Sequence, residues 1–171
     1  MTIVLPNWQG GDRTATIRAI VSEAHQYGFC PSQIAYILAT VQHETANTFR
    51  PVREGLNASE AWRKANFRYY PYYGRGYVQI TWRSNYQKFS DLIEIDLVNN
   101  PDLTLRPDIS LFILLHGMKY GSFTGKTLNN YTRNGVTNFV GARQTINGLD
   151  RAEKIAGLAR TWLGQIGSAN Y

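Results

Sequence analysis

The segment that begins at Pro107 constrains the fold most strongly, because it is almost wholly apolar as far as about Tyr120. Proline suits the first position of a helix, since its fixed φ is already helical and its missing N–H would have no partner there. A helix that is apolar on every side is buried by other elements. Its longest apolar run, residues 109–115, is far too short to cross a bilayer. The pattern therefore predicts a central buried helix in a globular protein.

Several other segments have apolar residues at helical spacing. One helix is predicted over 14–27 with Asp12 as its cap, and a second from Pro31 to about Thr45. The second carries Ile34, Ile37, Leu38 and Val41 on its inner face. Later helices are predicted over 84–93, near 136–146 and from about 150 onward.

Residues 46–76 are rich in Arg, Tyr, Pro and Gly and are expected to be irregular. Residues 77–82 alternate and contain β-branched or aromatic residues, which predicts a short strand or one arm of a hairpin. No linker, repeat or low-complexity tract interrupts the chain. We therefore expect one domain over residues 1–171, mainly helical (α+β), with a single small β element.

The chain carries a formal net charge of +6, and the positive charge is uneven. Residues 50–83 contain seven Lys or Arg against two acids, and residues 109–149 contain four against none. Such a surface favours an anionic partner, which can be nucleic acid, an anionic membrane face or an anionic wall polymer. Simple solubility is an equally good explanation of the charge taken alone.

Glu44 is the first residue whose position predicts chemistry. On a helical wheel it falls beside Ile37, at the edge of the apolar stripe, and it lies in the last turn of its helix. Partial burial and the negative helix end both favour the protonated form of a carboxyl group. A carboxylic acid that stays protonated near neutral pH is suited to general acid catalysis. The alternative is a solvated glutamate at a frayed helix end.

If Glu44 protonates a leaving group, a second carboxylate is required. Glu54 is the nearest candidate and Glu60 is the next. Two carboxylates about 6.5–9.5 Å apart leave room for a water molecule and lead to inversion at the anomeric carbon. A salt bridge between Glu54 and Arg50 or Arg53 is the competing interpretation.

Five tyrosines lie within residues 69–77, with arginine and glycine between them. Such a run can form a stacking surface for sugar rings or nucleic-acid bases. The alternative is a set of aromatic rings packed beneath a tight turn. The Gly74-Arg75-Gly76 centre is not a phosphate-binding loop, because it lacks the Walker lysine and does not complete a dinucleotide-binding motif.

Other chemistries find little support in the sequence. The three histidines, His25, His43 and His116, are far apart, no HExxH motif is present, and one cysteine cannot build a thiolate metal site. We therefore predict no metal and no cofactor. Cys30 is expected to be a buried, inert thiol. No GxSxG motif supports a serine hydrolase.

Four motifs, in this order, resemble glycoside hydrolase family 19, the chitinase-like family that includes phage and prophage endolysins. They span residues 43–151 and are His43-Glu44-Thr45, Tyr72-Tyr73-Gly74-Arg75-Gly76-Tyr77-Val78-Gln79-Ile80-Thr81 with Asn85-Tyr86, Asn100-Pro101-Asp102-Leu103, and Ile146-Asn147-Gly148-Leu149-Asp150-Arg151. The tyrosine–glycine–arginine–glycine block with its Gln-Ile-Thr-Trp tail is the most specific of them.

The resemblance implies a lysozyme-like fold with two mostly helical lobes and a substrate cleft between them. It implies Glu44 as general acid, Glu54 as the second carboxylate of the compact members, and Thr81 as the residue that holds the attacking water. Positions that bind the acetamido and hydroxyl groups of the sugars match Gln79, Asn85 and Asn147. Within the same motifs, His43, Arg75 and one or both of Tyr72 and Tyr73 are further candidates for binding substrate.

The chain departs from the family pattern at two places. The signature usually continues with two glycines after His-Glu-Thr, whereas Ala46 and Asn47 follow here. The loop before the tyrosine run is also much shorter than in plant chitinases. The second departure leaves the choice between Glu54 and Glu60 open.

Chitin and peptidoglycan share a backbone of β-1,4-linked N-acetyl amino sugars, so one mechanism serves both. Peptidoglycan is anionic and chitin is neutral, so the positive charge in the motif-bearing segments favours peptidoglycan. We therefore expect a monomeric muramidase-type endolysin that acts on peptidoglycan glycan strands and meets the anionic cell envelope through its basic surface. Chitinase activity is the alternative, and a non-catalytic wall-binding module is a further one.

The N-terminal segment has no basic region followed by a long apolar core, so no signal peptide is expected. We expect synthesis in the cytoplasm and action at the cell wall after release through a holin-type pore. Stable membrane insertion is not expected, and a nucleic-acid partner rests on charge and aromatic residues alone, which makes it the weakest hypothesis.

Overall fold

The computed structural model describes residues 3–168 and is mainly helical, as the sequence predicts. Helices account for most of the ordered backbone. They are α1 (Arg13–Gln26), α2 (Pro31–Glu44), α3 (Glu60–Asn66), α4 (Arg83–Ile93), α5 (Pro107–Tyr120), α6 (Phe139–Ala142) and α7 (Ala152–Ser168). Short 3-10 turns cover Pro101–Leu105, Leu128–Asn130 and Arg143–Thr145.

Two small antiparallel sheets complete the fold. β1 (Val52–Arg53) pairs with β2 (Arg75–Gly76), and β3 (Thr132–Arg133) pairs with β4 (Val136–Thr137). The sequence predicts one β element and a helical stretch near 136–146. Residues 136–137 are instead a strand, and the helical part begins at Phe139, where the side chain of Asn138 accepts a hydrogen bond from Gly141 N.

Helix α2 runs through the centre of the core, together with α5. All side chains from Ser32 to Val41 are buried, including Ile34, Ile37 and Leu38, which have no exposed surface. Helix α7 packs mainly against α2 and α6. Helix α5 is buried almost throughout, as its composition predicts, and no helix within residues 3–168 is both long and apolar enough to cross a membrane. The end of α2 is thereby held rigidly, and Glu44 is its last residue.

Residues 77–82 are not a strand, so that prediction is wrong. The chain turns back within this segment: Arg75 and Ile80 exchange both backbone hydrogen bonds, at 3.2 and 3.0 Å. Gln79 and Trp82 have positive φ values of 58° and 75°, a conformation that a regular strand does not contain. Tyr77, Val78 and Ile80 are all buried within this turn, and only Gln79 between them is partly exposed.

Helix α3 lies within the segment that the sequence marks as irregular. Ser59 caps it by accepting a hydrogen bond from Trp62 N, and Glu60 is in its first turn. Both features favour a helix start. The helix is only seven residues long, too short to show a clear periodicity.

Candidate functional site

A cleft of about 680 Å³ brings together residues that are distant in the sequence. Two groups of side chains line it. The helix-end group consists of Glu44, Arg143, Ile146, Asn147 and Gly148. The turn group consists of Glu54, Tyr69, Gln79, Thr81, Trp82 and Asn85. Val78, Ile80, Phe123 and Thr124 complete the lining.

Glu44 is held by a buried cation. Its Oε1 accepts a hydrogen bond of 2.9 Å from Nη1 of Arg143, and the two side chains are only 16% and 5% exposed. Arg143 is fixed in turn by a 3.0 Å hydrogen bond from its Nε to the carbonyl oxygen of Asp150. Oε2 of Glu44 accepts no hydrogen bond from residues 3–168, and the side chain lines the cleft.

The sequence does not reveal Arg143 as a partner of Glu44, because the two residues are 99 positions apart. The sequence indicates partial burial and a helix end at Glu44, but it does not indicate a cation in direct contact with the carboxylate. The ion pair also excludes the alternative of a solvated glutamate at a frayed helix end. An arginine just before the Ile146-Asn147-Gly148 motif was the only available signal.

Glu54 is held by neutral donors. Oε1 accepts a 2.7 Å hydrogen bond from the hydroxyl of Tyr69, and Oε2 accepts one of 2.8 Å from the backbone N–H of Gly74. A side chain at Gly74 would clash, because a Cβ atom there would lie 2.8 Å from Oε1 of Gln79 and 3.2 Å from Oε2 of Glu54. The alternative salt bridges with Arg50 or Arg53 do not form, since Arg53 pairs with Asp102.

Tyr69 remains a hydrogen-bond donor at any working pH. Burial raises the pKa of its phenol to about 12, with further contributions from the hydrogen bond to Glu54 and the charge of that carboxylate. The hydroxyl therefore stays protonated near neutral pH. Tyr69 is a functional candidate that the sequence identifies only as one of five neighbouring tyrosines.

Arg63 anchors the backbone that carries Glu54. Its guanidinium is buried and donates to the carbonyl oxygens of Glu54 and Gly55 at 2.9 and 3.0 Å, and to Oε1 of Glu60 at 2.8 Å. Glu60 also accepts from the hydroxyl of Tyr73 at 2.8 Å. Burial raises the pKa of the Glu60 carboxyl, but the hydrogen bonds from Tyr73 and Arg63 outweigh it and lower the pKa below its usual range. Glu60 is thus part of a supporting network outside the cleft lining, whereas Glu54 lines the cleft.

Gln79, Thr81 and Asn85 line the cleft as the resemblance implies, but their polar groups also hold the turn together. The amide nitrogen of Gln79 donates to the carbonyl oxygens of Val52 and Gly76 at 2.9 and 3.0 Å. Oγ1 of Thr81 donates to the carbonyl oxygen of Gln79, and the amide of Asn85 donates to that of Thr81. The side-chain oxygens of Gln79 and Asn85 and the lone pairs of the Thr81 hydroxyl are the groups left for a ligand or a water molecule.

Tyr72, Tyr73 and Arg75 do not line the cleft, which corrects their expected role in contacting substrate. Tyr73 is 1% exposed, and Tyr72 packs on Tyr86 and donates to the carbonyl oxygen of Val98. Arg75 is buried and donates to Asp102 and to the hydroxyl of Tyr86. Tyr72 and Tyr73 thus pack as the alternative of aromatic rings beneath a turn predicts, and Arg75 is held in the same network by Asp102 and Tyr86.

His43 and Asn147 occupy different surroundings. Asn147 is exposed and lines the cleft, with its Oδ1 accepting from Gly148 N. His43 is half-buried and is not among the lining residues. Burial lowers the pKa of His43, and the nearby cations Arg143 and Lys154 lower it further, against the opposing effect of Glu44. His43 is therefore neutral near pH 7.

The lining combines two carboxylates with amide and hydroxyl groups. No group of three or more His, Cys, Asp or Glu side chains in residues 3–168 is arranged to hold a metal ion. Two carboxylates on one cleft can act as a general acid and a general base. The amides and the exposed Trp82 can bind a polar ring.

Comparison with known proteins agrees with this arrangement. Residues 35–113, which contain Glu44, Glu54 and Thr81, match the model of the family Glyco_hydro_19, described as chitinase class I. The chain is 50% identical over 42 residues to chitinase 11 of Oryza sativa subsp. japonica and 40% identical over 72 residues to an acidic endochitinase of Petunia hybrida. These matches span 16% and 28% of the lengths of those two relatives.

The fold is also similar to that of a solved structure, chitinase C from Streptomyces griseus HUT6037. The TM-score is 0.61 at 21% sequence identity, and the match covers 88% of this chain and 83% of the other. At this identity the likeness concerns the fold alone. The resemblance to glycoside hydrolase family 19 is thus confirmed for residues 35–113, and so is the mainly helical, lysozyme-like fold that it implies.

Proposed function

We propose that this protein is a glycoside hydrolase that cleaves β-1,4 bonds between the N-acetyl amino sugars of peptidoglycan. The observation that carries the proposal is the placement of Glu44 and Glu54 on one cleft, each fixed by a different set of donors. Similarity to chitinases over residues 35–113 supports the same class of reaction.

In the proposed reaction Glu44 is the general acid. Its Oε2 carries the proton to the glycosidic oxygen as the bond between that oxygen and the anomeric carbon breaks. Arg143, bound to Oε1, orients the carboxyl group and stabilises the charge that remains on it after the proton has left.

Glu54 is the proposed general base. It removes a proton from a water molecule whose oxygen bonds to the anomeric carbon from the opposite face of the sugar, which inverts the configuration. The hydroxyl of Thr81 holds that water. The Tyr69 hydroxyl and Gly74 N–H fix the carboxylate without adding a charge.

Charge supports peptidoglycan as the substrate. Arg50, Lys64, Arg68 and Arg83 are all exposed, and none forms a salt bridge with residues 3–168. Exposed cations without acidic partners raise the local concentration of an anionic polymer and do nothing for a neutral one. Release of the protein to the cell wall through a holin-type pore, with a monomer as the active form, belongs to the same proposal.

Chitin is the second candidate substrate, because two relatives that the chain matches over 42 and 72 residues are named as chitinases. The two substrates are distinguished by incubating the protein with purified peptidoglycan sacculi and, in parallel, with chitin oligosaccharides. New reducing ends from sacculi and not from chitin are expected. Cleavage of chitin alone would replace peptidoglycan with chitin, and binding to sacculi without cleavage of either would point to a wall-binding module.

A further inference from the structure

Trp82 is a large aromatic side chain left accessible at the cleft. It is 45% exposed although it lies in the cleft lining, and its backbone has a positive φ of 75°. A hydrogen bond of 2.9 Å from the backbone N–H of Trp82 to the carbonyl oxygen of Tyr72 holds that conformation. A tryptophan kept exposed on strained backbone is unfavourable for stability, and such strain is concentrated at functional sites.

Arg68 and Tyr69 fix the orientation of the Trp82 ring. The guanidinium carbon of Arg68 lies 5.1 Å from the ring centroid, and the ring of Tyr69 packs against Trp82 edge-on at 5.1 Å. Tyr69 is also the donor to Glu54, so the tryptophan is linked to the proposed base through Tyr69. Arg68 itself is exposed and has no carboxylate partner in residues 3–168.

A second tryptophan provides a contrast. Trp62 is 48% exposed and packs edge-on against Phe67, which stacks on Tyr69. It belongs to the same run of aromatic contacts as Trp82, but it does not line the cleft. Exposure alone therefore does not distinguish Trp82, whereas its place in the cleft lining, in contact with Tyr69 and Arg68, does.

We propose that Trp82 and Arg68 form a further sugar-binding subsite that accepts a muramyl residue with its anionic peptide. The Trp82 ring stacks on the apolar face of the sugar, and the guanidinium of Arg68 pairs with a carboxylate of the peptide. This inference rests on the proposed function and deepens it, because the subsite makes the enzyme prefer a charged glycan over chitin.

The test measures binding of the 171-residue chain to insoluble sacculi by co-sedimentation. The measurement is made in the cold, so that cleavage of the sacculi is slow and binding is observed separately from turnover. Sacculi are used either native or with their peptide carboxyl groups converted to amides. Arg68→Gln is expected to weaken binding to native sacculi about fivefold, the upper range for one accessible ion pair, and to leave binding to amidated sacculi unchanged. Trp82→Ala is expected to weaken binding to both about tenfold, as for one lost stacking contact.

Two matched variants serve as controls. Trp62→Ala removes an equally exposed tryptophan, and Lys64→Gln removes an equally exposed cation from the same region. Trp62→Ala is expected to bind native sacculi as the unmodified protein does. Lys64→Gln removes one charge from the basic surface and is expected to weaken binding by less than about twofold, the screened effect of one exposed charge. If Trp82→Ala fails to fold, as judged by circular dichroism, the surface variant Arg68→Gln decides the outcome by itself.

The outcomes separate the subsite from the catalytic proposal. If Arg68→Gln binds native sacculi as well as Lys64→Gln does, or if the unmodified protein does not bind sacculi, the subsite is refuted. If Arg68→Gln loses equal affinity for native and amidated sacculi, the carboxylate partner is refuted. Selective loss with no cleavage of any glycan would keep the subsite and overturn the proposed hydrolase.

Discussion

The two carboxylates on the cleft are held in opposite ways. Glu44 ends a buried helix and is bound by one buried arginine, whereas Glu54 follows a two-residue strand and accepts hydrogen bonds from a phenol and a backbone N–H. A cation favours the carboxylate electrostatically and fixes one of its oxygens. Neutral donors fix both oxygens without a compensating charge.

The contrast corresponds to the two proposed roles. A general acid becomes a carboxylate when it has given its proton away, and a neighbouring guanidinium stabilises that state. A general base has to bind a proton from water, and a cation in contact with it would oppose this step. In the proposed reaction the different donors thus suit Glu44 and Glu54 to distinct tasks, although the two side chains are chemically identical.

The largest effects are expected from the carboxylates themselves. Glu44→Gln and Glu54→Gln should each reduce turnover of sacculi by about a thousandfold, the contribution typical of a positioned acid or base. Release of reducing ends is the readout. Glu60→Gln is the control and should retain turnover, because Glu60 lies outside the cleft lining. A reversal, with Glu60→Gln inactive and Glu54→Gln active, would assign the base to Glu60.

Arg143→Met should reduce both stability and activity. Removing one partner of a buried ion pair leaves an uncompensated charge and costs about 3 kcal/mol of the free energy of unfolding. Urea denaturation of Arg143→Met, Glu44→Gln and the double variant measures the coupling between the two side chains. Additive losses would show that the ion pair contributes no coupling energy. Arg143 would then not be what distinguishes Glu44 from Glu54.

Tyr69→Phe should have a smaller and more selective effect. It removes one donor to Glu54 and is expected to lower kcat about tenfold with little change in KM, in line with about 1.4 kcal/mol for one hydrogen bond to a charged group. Tyr70→Phe is the matched control, because the Tyr70 hydroxyl makes only a long hydrogen bond of 3.4 Å, and its acceptor is Glu60. Equal kcat values for the two variants would show that the hydrogen bond from Tyr69 to Glu54 does not assist turnover.

The smallest effect concerns acid stability of the region that supports Glu54. Burial raises the pKa of the Asp102 carboxyl, but hydrogen bonds from Arg53 and the charge of Arg75 outweigh it, so the pKa lies below the ordinary 3.8. The stabilisation is present above that ordinary value and is lost as the pH falls through the lowered one. The carboxylate is 60% exposed in these pairs, so solvent screening limits their contribution to less than about 1 kcal/mol.

Asp102→Asn tests this linkage. The variant should be less stable than the unmodified protein at pH 7, and the difference should disappear as the pH falls below the lowered pKa of Asp102. Urea denaturation at a series of pH values gives both curves. A constant difference at all pH values would mean that packing, and not ionisation, accounts for the loss.

Local patterns in the sequence predict most of the helices, whereas contacts between residues distant in the sequence could not be predicted. Helices α1, α2, α4, α5 and α7 follow from periodicity and caps, because their buried faces are local patterns. Residues 77–82, for which the sequence predicts a short strand or one arm of a hairpin, instead contain a turn, because apolar residues buried in a turn can alternate in sequence with polar ones as they do in a strand. Glu44, Glu54 and Thr81 line the cleft where the resemblance placed them.

Arg143 and Tyr69 required the folded chain. The contact between Arg143 and Glu44 joins segments 99 residues apart, and no local pattern encodes it. The five neighbouring tyrosines are alike in composition, and only the path of the turn decides that Tyr69 faces the cleft while Tyr73 is buried.

The most direct test is the chemical identity of the ends that the protein creates in purified peptidoglycan. Sacculi are digested, reduced with borohydride and analysed by mass spectrometry, with Glu44→Gln in parallel. The account predicts glycan fragments that end in a reduced amino sugar, formed by the unmodified protein and almost absent with Glu44→Gln. Intact glycan strands after digestion, or equal cleavage by both proteins, would contradict it.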